Sequence, residues 1–273
     1  MDNQPVFALM YDFDRTLSPK NMQEYAFIPG LGMDPAEFWT KCADASKKYG
    51  MDDILAYMHV MLRESEGIQL VTKNTLREIG SKVELFSGVE SWFERINRRA
   101  SQRGLKAEHY LISSGLREII EGTSIAGEFT GIYASAFCCN ERGVPFWPAE
   151  AVNYTSKTQF LFRINKGATD PSDRRLNEYM PEKERRVPFS NMVYIGDGMT
   201  DVPCMKLTRV NGGHSVAVYE GDRGLVEKLL RDGRIDFGVP ADYSEGSALE
   251  DAVFRIIDLV AAKENLKAIE GCR

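Results

Sequence analysis

Residues 6–11, VFALMY, form an unbroken apolar run that stops at Asp12-Phe13-Asp14-Arg15-Thr16. Six apolar residues without alternation suit a strand buried on both faces of a parallel sheet, where helices cover each side and neither face meets water. Parallel strands need crossover connections, so this one run directs the whole chain toward an α/β fold. Two carboxylates so close together at the strand's end repel unless a cation or a shared proton intervenes. Asp12 and Asp14 therefore read as functional on charge alone.

The rest of the chain supplies the partners that such a strand needs. Strand-like runs recur at 109–113 (HYLIS), 191–196 (NMVYIG), 214–219 (HSVAVY) and 234–240 (RIDFGVP). Helical patterns lie between them, as at 89–104, where Val89, Trp92, Phe93 and Ile96 share one face and Gly104 is the stop. Strand and helix in alternation predict a parallel sheet covered on both sides.

Residues 18–86 break that alternation and predict consecutive helices without a strand. Asp34-Pro35-Ala36-Glu37 is a helix start with Asp as cap and Pro at the first helical position. Phe38, Cys42, Ala45 and Tyr49 follow at helical spacing up to Gly50. A second helix carries Ile54, Leu55, Met58, Met61 and Leu62, and a third carries Leu76, Ile79 and Val83. Their apolar stripe predicts a small bundle core, inserted between the first strand and the remaining sheet. Residues 129–150 predict a hairpin turning at NERG beside the sheet. The polar, proline-bearing stretch 167–190 predicts a long surface loop, the kind that is usually functional or mobile.

The net charge of -6 provides no basic field to gather DNA or RNA, which argues against a nucleic-acid partner. No apolar run approaches the roughly 20 residues that span a bilayer, and no basic leader precedes the first strand, so a cytoplasmic protein without membrane contact is expected. Cys42, Cys138, Cys139, Cys204 and Cys272 lack metal-binding spacing and read as buried thiols. An acidic chain acting on an anion must supply positive charge locally, from a metal or from a few placed Lys and Arg.

Four short pieces meet that requirement, each at a predicted strand end or helix start, where α/β sheets bind ligands. The first is Asp12-Phe13-Asp14-Arg15-Thr16. The second is LISSGLRE, in which Ser113 and Ser114 end an apolar run and Gly115 is expected to open a helix whose N–H groups face an anion. The third is a lysine. Ser156 and Gln159 read as a capping box, which puts Lys157 in the first helical turn, where a cation opposes the helix dipole and needs another reason to be there. Lys166, in the last turn before Gly167, is favoured there on stability alone, so Lys157 is the candidate. The fourth is YIGDGMTD, where Gly196 and Gly198 are expected to turn the backbone tightly around Asp197, with Asp201 four residues on. Clustered carboxylates suit Mg²⁺, commonly held by one or two of them together with phosphate and water.

This ordered set, Asp12-x-Asp14-x-Thr16, Ser114, Lys157 and Gly196-Asp197-Gly198-Met199-Thr200-Asp201, resembles the four motifs of the haloacid dehalogenase-like hydrolases, most of which are phosphatases. The resemblance spans residues 6 to about 205. It implies a Rossmann-like catalytic core (1–17 and 87–273) with a helical cap at 18–86. It implies an aspartyl-phosphate on Asp12, with Asp14 as acid and then base. Mg²⁺ would be held by Asp12, Asp197 and the backbone carbonyl of Asp14. Thr16, Ser114 and Gly115 would bind substrate, Ser114 and Lys157 would hold phosphoryl oxygens, and Asp201 would orient Lys157 or complete the metal shell.

Two positions depart from the pattern. Arg15 stands where many relatives have a small residue, and it is a candidate for touching substrate. Asn21 stands where phosphoserine phosphatases carry a glutamate, which argues against an amino-acid phosphate. A small phosphorylated metabolite is the expected partner. A phosphotransferase or mutase sharing the same intermediate is the alternative within enzymes, and a binding module retaining the fold is the alternative outside them.

Overall fold

The structure is a computed structural model that describes residues 4–170 and 172–270. Seven strands form one sheet in the order β4-β3-β2-β1-β5-β6-β7: β1 Val6–Tyr11, β2 Lys106–Leu116, β3 Gly131–Cys139, β4 Pro145–Glu150, β5 Met192–Gly196, β6 His214–Tyr219 and β7 Phe237–Pro240. All pairings are parallel except β3 with β4. The expected hairpin is therefore the edge of the sheet itself, because β3 pairs with β2.

After β1 come four helices and no strand: α1 Phe27–Gly30, α2 Pro35–Tyr49, α3 Asp53–Ser65 and α4 Lys73–Gly80. Asp34 caps α2 by accepting the Ala36 N–H at 2.8 Å, and Gly50 ends it in the left-handed conformation. Val83, expected in the third helix, lies beyond α4, which stops at Gly80. There the chain runs so close to residues 117–120 that an added Cβ would sit 2.0 Å from the Ile119 carbonyl.

The remaining helices are α5 Val89–Gln102, α6 Arg117–Ile120, α7 Lys157–Lys166, α8 Val202–Val210, α9 Gly224–Arg231 and α10 Ala248–Glu270. Alternate strand residues feed two cores. Leu9, Tyr11, Leu111, Val193 and Ile195 pack on one face with α5, α10 and helices α1–α4. Ala8, Met10, Tyr110, Ile112 and Tyr194 pack on the other with α7, α8 and α9. This two-sided burial, alternating along each strand, explains why VFALMY tolerates no polar residue. Among the described residues no helix is long and apolar enough to cross a membrane.

The described residues of the 167–190 stretch contain only short 3₁₀ turns and are pinned to the sheet. Arg186 grips the buried Glu108 carboxylate through both nitrogens at 2.6 and 2.8 Å, and Asn165 bonds the Val187 carbonyl at 2.7 Å. Cys42 and Cys204 are buried, as expected, but Cys138 and Cys139 are only partly so, because the end of β3 extends beyond the covered part of the sheet. Cys272 lies outside the described residues.

Candidate active site

The carboxyl ends of β2, β1 and β5, the middle of the sheet, bring the four sequence pieces together. Asp12 follows β1 directly, and its N–H donates to the Ile195 carbonyl of β5 at 3.0 Å, so strand pairing itself fixes the residue. The chain then turns tightly, with the N–H groups of Thr16, Leu17 and Ser18 all directed at the Phe13 carbonyl. Arg15 adopts φ 58°, alone among the described non-glycine residues, and its exposed side chain lines a cleft of about 160 Å³ beside Asp197.

Lys157 Nζ lies 2.8 Å from Asp12 Oδ2 and 2.8 Å from Asp201 Oδ1, wholly buried. Asp12 Oδ1 accepts the Phe13 N–H at 2.7 Å. Asp201 Oδ1 also accepts the Tyr194 hydroxyl at 2.8 Å, and its Oδ2 faces the Gly198 N–H at 3.4 Å. Lys157 does occupy the first turn of α7, but the expected capping box is displaced upstream. Asn153 Oδ1 accepts the Ser156 N–H at 2.9 Å, and Ser156 Oγ accepts the Asn153 N–H at 2.8 Å. Asn153 thus uses the same side-chain reciprocity, leaving Gln159 outside it. Lys166 donates to the carbonyls of Leu176 and Glu178 at 2.7 and 2.6 Å, so its ammonium secures the following loop.

Gly115 does not open a helix. β2 continues to Leu116 through a register shift, and the helix starts at Arg117 and lasts four residues. The donors that would have faced an anion are used locally: the Gly115 N–H bonds Ser113 Oγ at 3.0 Å and the Leu116 N–H bonds Met22 Sδ at 3.2 Å. What Gly115 provides is close approach, since an added Cβ would fall 2.0 Å from Met22 Cε and 3.3 Å from Asp14 Oδ2. Gly196 is similar. Neither it nor Gly198 has positive φ, but a Cβ at 196 would lie 2.6 Å from Asp201 Cγ. Gly196 permits close contact with Asp201 where the sequence suggested a tight turn, whereas a Cβ at Gly198 would meet only Thr200, at 3.8 Å.

Asp14 Oδ1 accepts the Met22 N–H at 2.8 Å, and the Thr16 hydroxyl makes a long contact to Asp197 Oδ1 at 3.5 Å. Half-buried Ser114 is held through its carbonyl by Tyr57 at 2.8 Å and Ser135 at 3.0 Å. Met22, Tyr57 and Tyr194 thus support the site without having stood out in the sequence. A buried tyrosine hydroxyl inside an apolar strand run, as at Tyr194, was the available signal, because such a group requires a partner.

Burial, reinforced by Asp201, pushes the Asp12 carboxyl up to about 6. Burial and then Asp12 hold Asp14 well above the carboxylate range, and burial with Asp201 and Asp12 raises Asp197 to about 7. Burial alone would lower Lys157, but the charges of Asp12 and Asp201 outweigh it and keep the ammonium protonated. Four carboxylates thus surround one lysine. Carboxylate oxygens of Asp12, Asp197 and Asp201 lie within 4.8 Å of one another, a set of hard donors that fits Mg²⁺. Asp197 is the least committed of the three, while Asp201 is already bound to Lys157 and Tyr194.

The family model for haloacid dehalogenase-like hydrolases matches residues 9–206, well over half of the chain. A Borreliella burgdorferi protein described as uncharacterized is 26% identical over 287 residues, covering 94% of this chain and 99% of that one. A probable phosphoserine phosphatase from Vibrio cholerae superposes with a TM-score of 0.60 at 12% identity, covering 96% of this chain and 68% of that one. A substrate-bound phosphoserine phosphatase gives 0.57 at 12% identity, with 88% and 96% covered. The structures establish a shared fold, and the sequence match runs from the strand bearing Asp12 to the helix behind Asp201. The chain belongs to the haloacid dehalogenase-like hydrolase family.

Proposed function

We propose that this protein is a Mg²⁺-dependent phosphomonoesterase acting on a small phosphorylated metabolite. The observation that carries the reading is the placement of Lys157 between Asp12 and Asp201 at the end of the central strand, beside Asp197, whose carboxylate has, among the described residues, only the long Thr16 contact. Asp12 attacks phosphorus and the bond to the leaving oxygen breaks, while Asp14, kept protonated by burial, gives that oxygen its proton. Asp14 then takes a proton from water as the water displaces Asp12 from phosphorus, and phosphate departs. Lys157 balances the charge of the phosphoryl oxygens, assisted by Ser114 and Thr16. Asp201 holds Lys157 in place. Asp12, Asp197 and the Asp14 carbonyl would hold Mg²⁺, which when bound neutralises phosphoryl charge.

In this reading residues 18–86 are a cap on a core of 1–17 and 87–273. Support comes from the two ends of the insert lying side by side, with the Phe86 N–H donating to the Leu17 carbonyl at 2.9 Å. A cytoplasmic location belongs to the same proposal. The neighbours named phosphoserine phosphatases raise an amino-acid phosphate as substrate, but the local chemistry disfavours it. Asn21 occupies the glutamate position, and the nearby Glu24 is taken by the Asn21 amide at 2.5 Å and the Trp39 indole at 2.9 Å. Arg15, over the cleft beside Asp197, is proposed to contact the leaving group.

The test is phosphate release from p-nitrophenyl phosphate. Turnover is expected with Mg²⁺ and is expected to vanish in EDTA and in Asp12→Asn. Undiminished release under either condition overturns the assignment, and phosphate appearing on an added alcohol rather than as free phosphate identifies a phosphotransferase.

A further inference from the structure

Tyr243 is fully buried and 227 residues from Thr16 in sequence, yet its hydroxyl donates to the Thr16 carbonyl at 2.8 Å. Its N–H donates to the Ser87 carbonyl at 2.9 Å. Its own carbonyl accepts from the guanidinium of Arg95, which is anchored in turn to Glu250 of α10 at 2.6 Å. Next to it, the hydroxyls of Ser244 and Ser87 are 3.0 Å apart. Gly88, at φ 82°, lies so close that a Cβ there would be 2.4 Å from the Tyr243 carbonyl and the Ser244 nitrogen. The ring of Tyr243 meets Trp92 edge-on at 5.2 Å, and the Trp92 indole donates to the Tyr11 hydroxyl at 3.0 Å, one residue before Asp12.

One residue thus contacts both places where the chain passes between the sheet and the 18–86 insert, Thr16 through its hydroxyl and Ser87 through its backbone N–H. Thr16 is where the chain leaves and Ser87 is where it returns, and the Leu17 carbonyl and Phe86 N–H close the gap between them. Thr16 also ends the turn that carries Asp12 and Asp14. We propose that Tyr243 is a positioning residue that pins both ends of the insert to the nucleophile turn, so that the insert moves only beyond Leu17 and Phe86 and leaves Asp12 in place. Burial raises the titration of its phenol far above neutrality, so the hydroxyl stays a donor at any working pH. The clamp itself is independent of the reaction, and only its kinetic readout rests on the phosphatase reading.

The test is Tyr243→Phe in the full chain, which deletes one hydroxyl and keeps the ring against Trp92. Hydrogen–deuterium exchange is expected to quicken about tenfold at the amides of Leu17, Ser18 and Phe86, and to be unchanged in β5 and β6, as follows from losing one buried hydrogen bond. With p-nitrophenyl phosphate and Mg²⁺, kcat is expected to fall about tenfold while KM stays within about twofold, since the loss affects the geometry of Asp12 more than binding. A lowered melting temperature with unchanged linker exchange and unchanged kcat overturns the proposal, because Tyr243 is then only a core residue. If the wild type hydrolyses no aryl phosphate, the phosphatase reading fails while the exchange result still decides the clamp. Should Tyr243→Phe not fold, exchange in the wild type takes its place: protection of the Phe86 and Tyr243 amides as strong as that of β1 supports the clamp, and exchange there as fast as in the exposed parts of the 167–190 stretch overturns it.

Discussion

Lys157 and Asp201 form an ion pair at 2.8 Å in which neither side chain reaches solvent, and the same ammonium lies 2.8 Å from Asp12. A pair buried this deeply cannot lose one member cheaply, because the other remains as an uncompensated charge.

Lys157→Ala is therefore expected to lower turnover on the order of 100-fold or more and to destabilise the fold by about 3–5 kcal/mol. Lys166→Ala frees only the loop carbonyls of Leu176 and Glu178 and is expected to leave turnover within about twofold. Steady-state rates and urea midpoints of the two variants check this, and the reverse ranking refutes the assignment of Lys157.

Asp14→Asn keeps the Asp12 nucleophile but removes the proton donor and acceptor. Nitrophenolate departs without much help, whereas water attacking the phosphorylated aspartate needs a base. Rapid quench is expected to show a burst of at most about one equivalent of nitrophenol, followed by stalled enzyme carrying phosphate on Asp12. Steady turnover with no phosphorylated protein by mass spectrometry would mean that the two carboxylates do not divide the work.

His109 is buried between Tyr11, 2.9 Å from Nδ1, and Asn97, 3.0 Å from Nε2. Burial lowers its titration from 6.5 to about 3. The unfolded chain binds a proton near 6.5 that the folded chain refuses, so the contribution is fully present above that pH. It is lost as pH falls toward 3, by up to ~1.4 kcal/mol per pH unit. Urea midpoints at pH 7 and 4.5 are expected to differ less in His109→Gln than in the wild type, and an equal difference would show that His109 plays no part in acid sensitivity.

Gly196→Ala and Gly115→Ala separate two kinds of close approach. The first places a methyl group against Asp201, immobilised by Lys157 and Tyr194, and the second against the end of the flexible Met22 side chain. Gly196→Ala is expected to cost about 1–3 kcal/mol and most of the activity, with the smaller thermal shift in Gly115→Ala. Calorimetry with parallel rate measurements tests the order.

Much of the fold was legible because its signals are local. VFALMY declared a doubly buried strand, the alternation after residue 87 declared a parallel sheet, and Asp34-Pro35 and Gly50 marked the bounds of α2. Apolar periodicity and end caps act within a few residues, so one chain suffices to read them. Lys157 was also readable, since a cation in the first turn of α7 opposes the helix dipole and asks for an acidic partner. Its capping box was misread because Asn153-Tyr154-Thr155-Ser156 and Ser156-Lys157-Thr158-Gln159 offer the same spacing, and only backbone conformation selects between them.

The sequence by itself determined the class of sheet, the run of helices after the first strand and the acids at the strand ends, because each is written in neighbouring residues. Tertiary structure alone decided that Asp201 shares the ammonium of Lys157 with Asp12, that Gly115 and Gly196 serve close approach, and that Tyr243 bonds both Thr16 and Ser87. Those relationships link residues far apart in the chain, and they exist only where packing has removed water and left each buried polar group to find a partner within the protein.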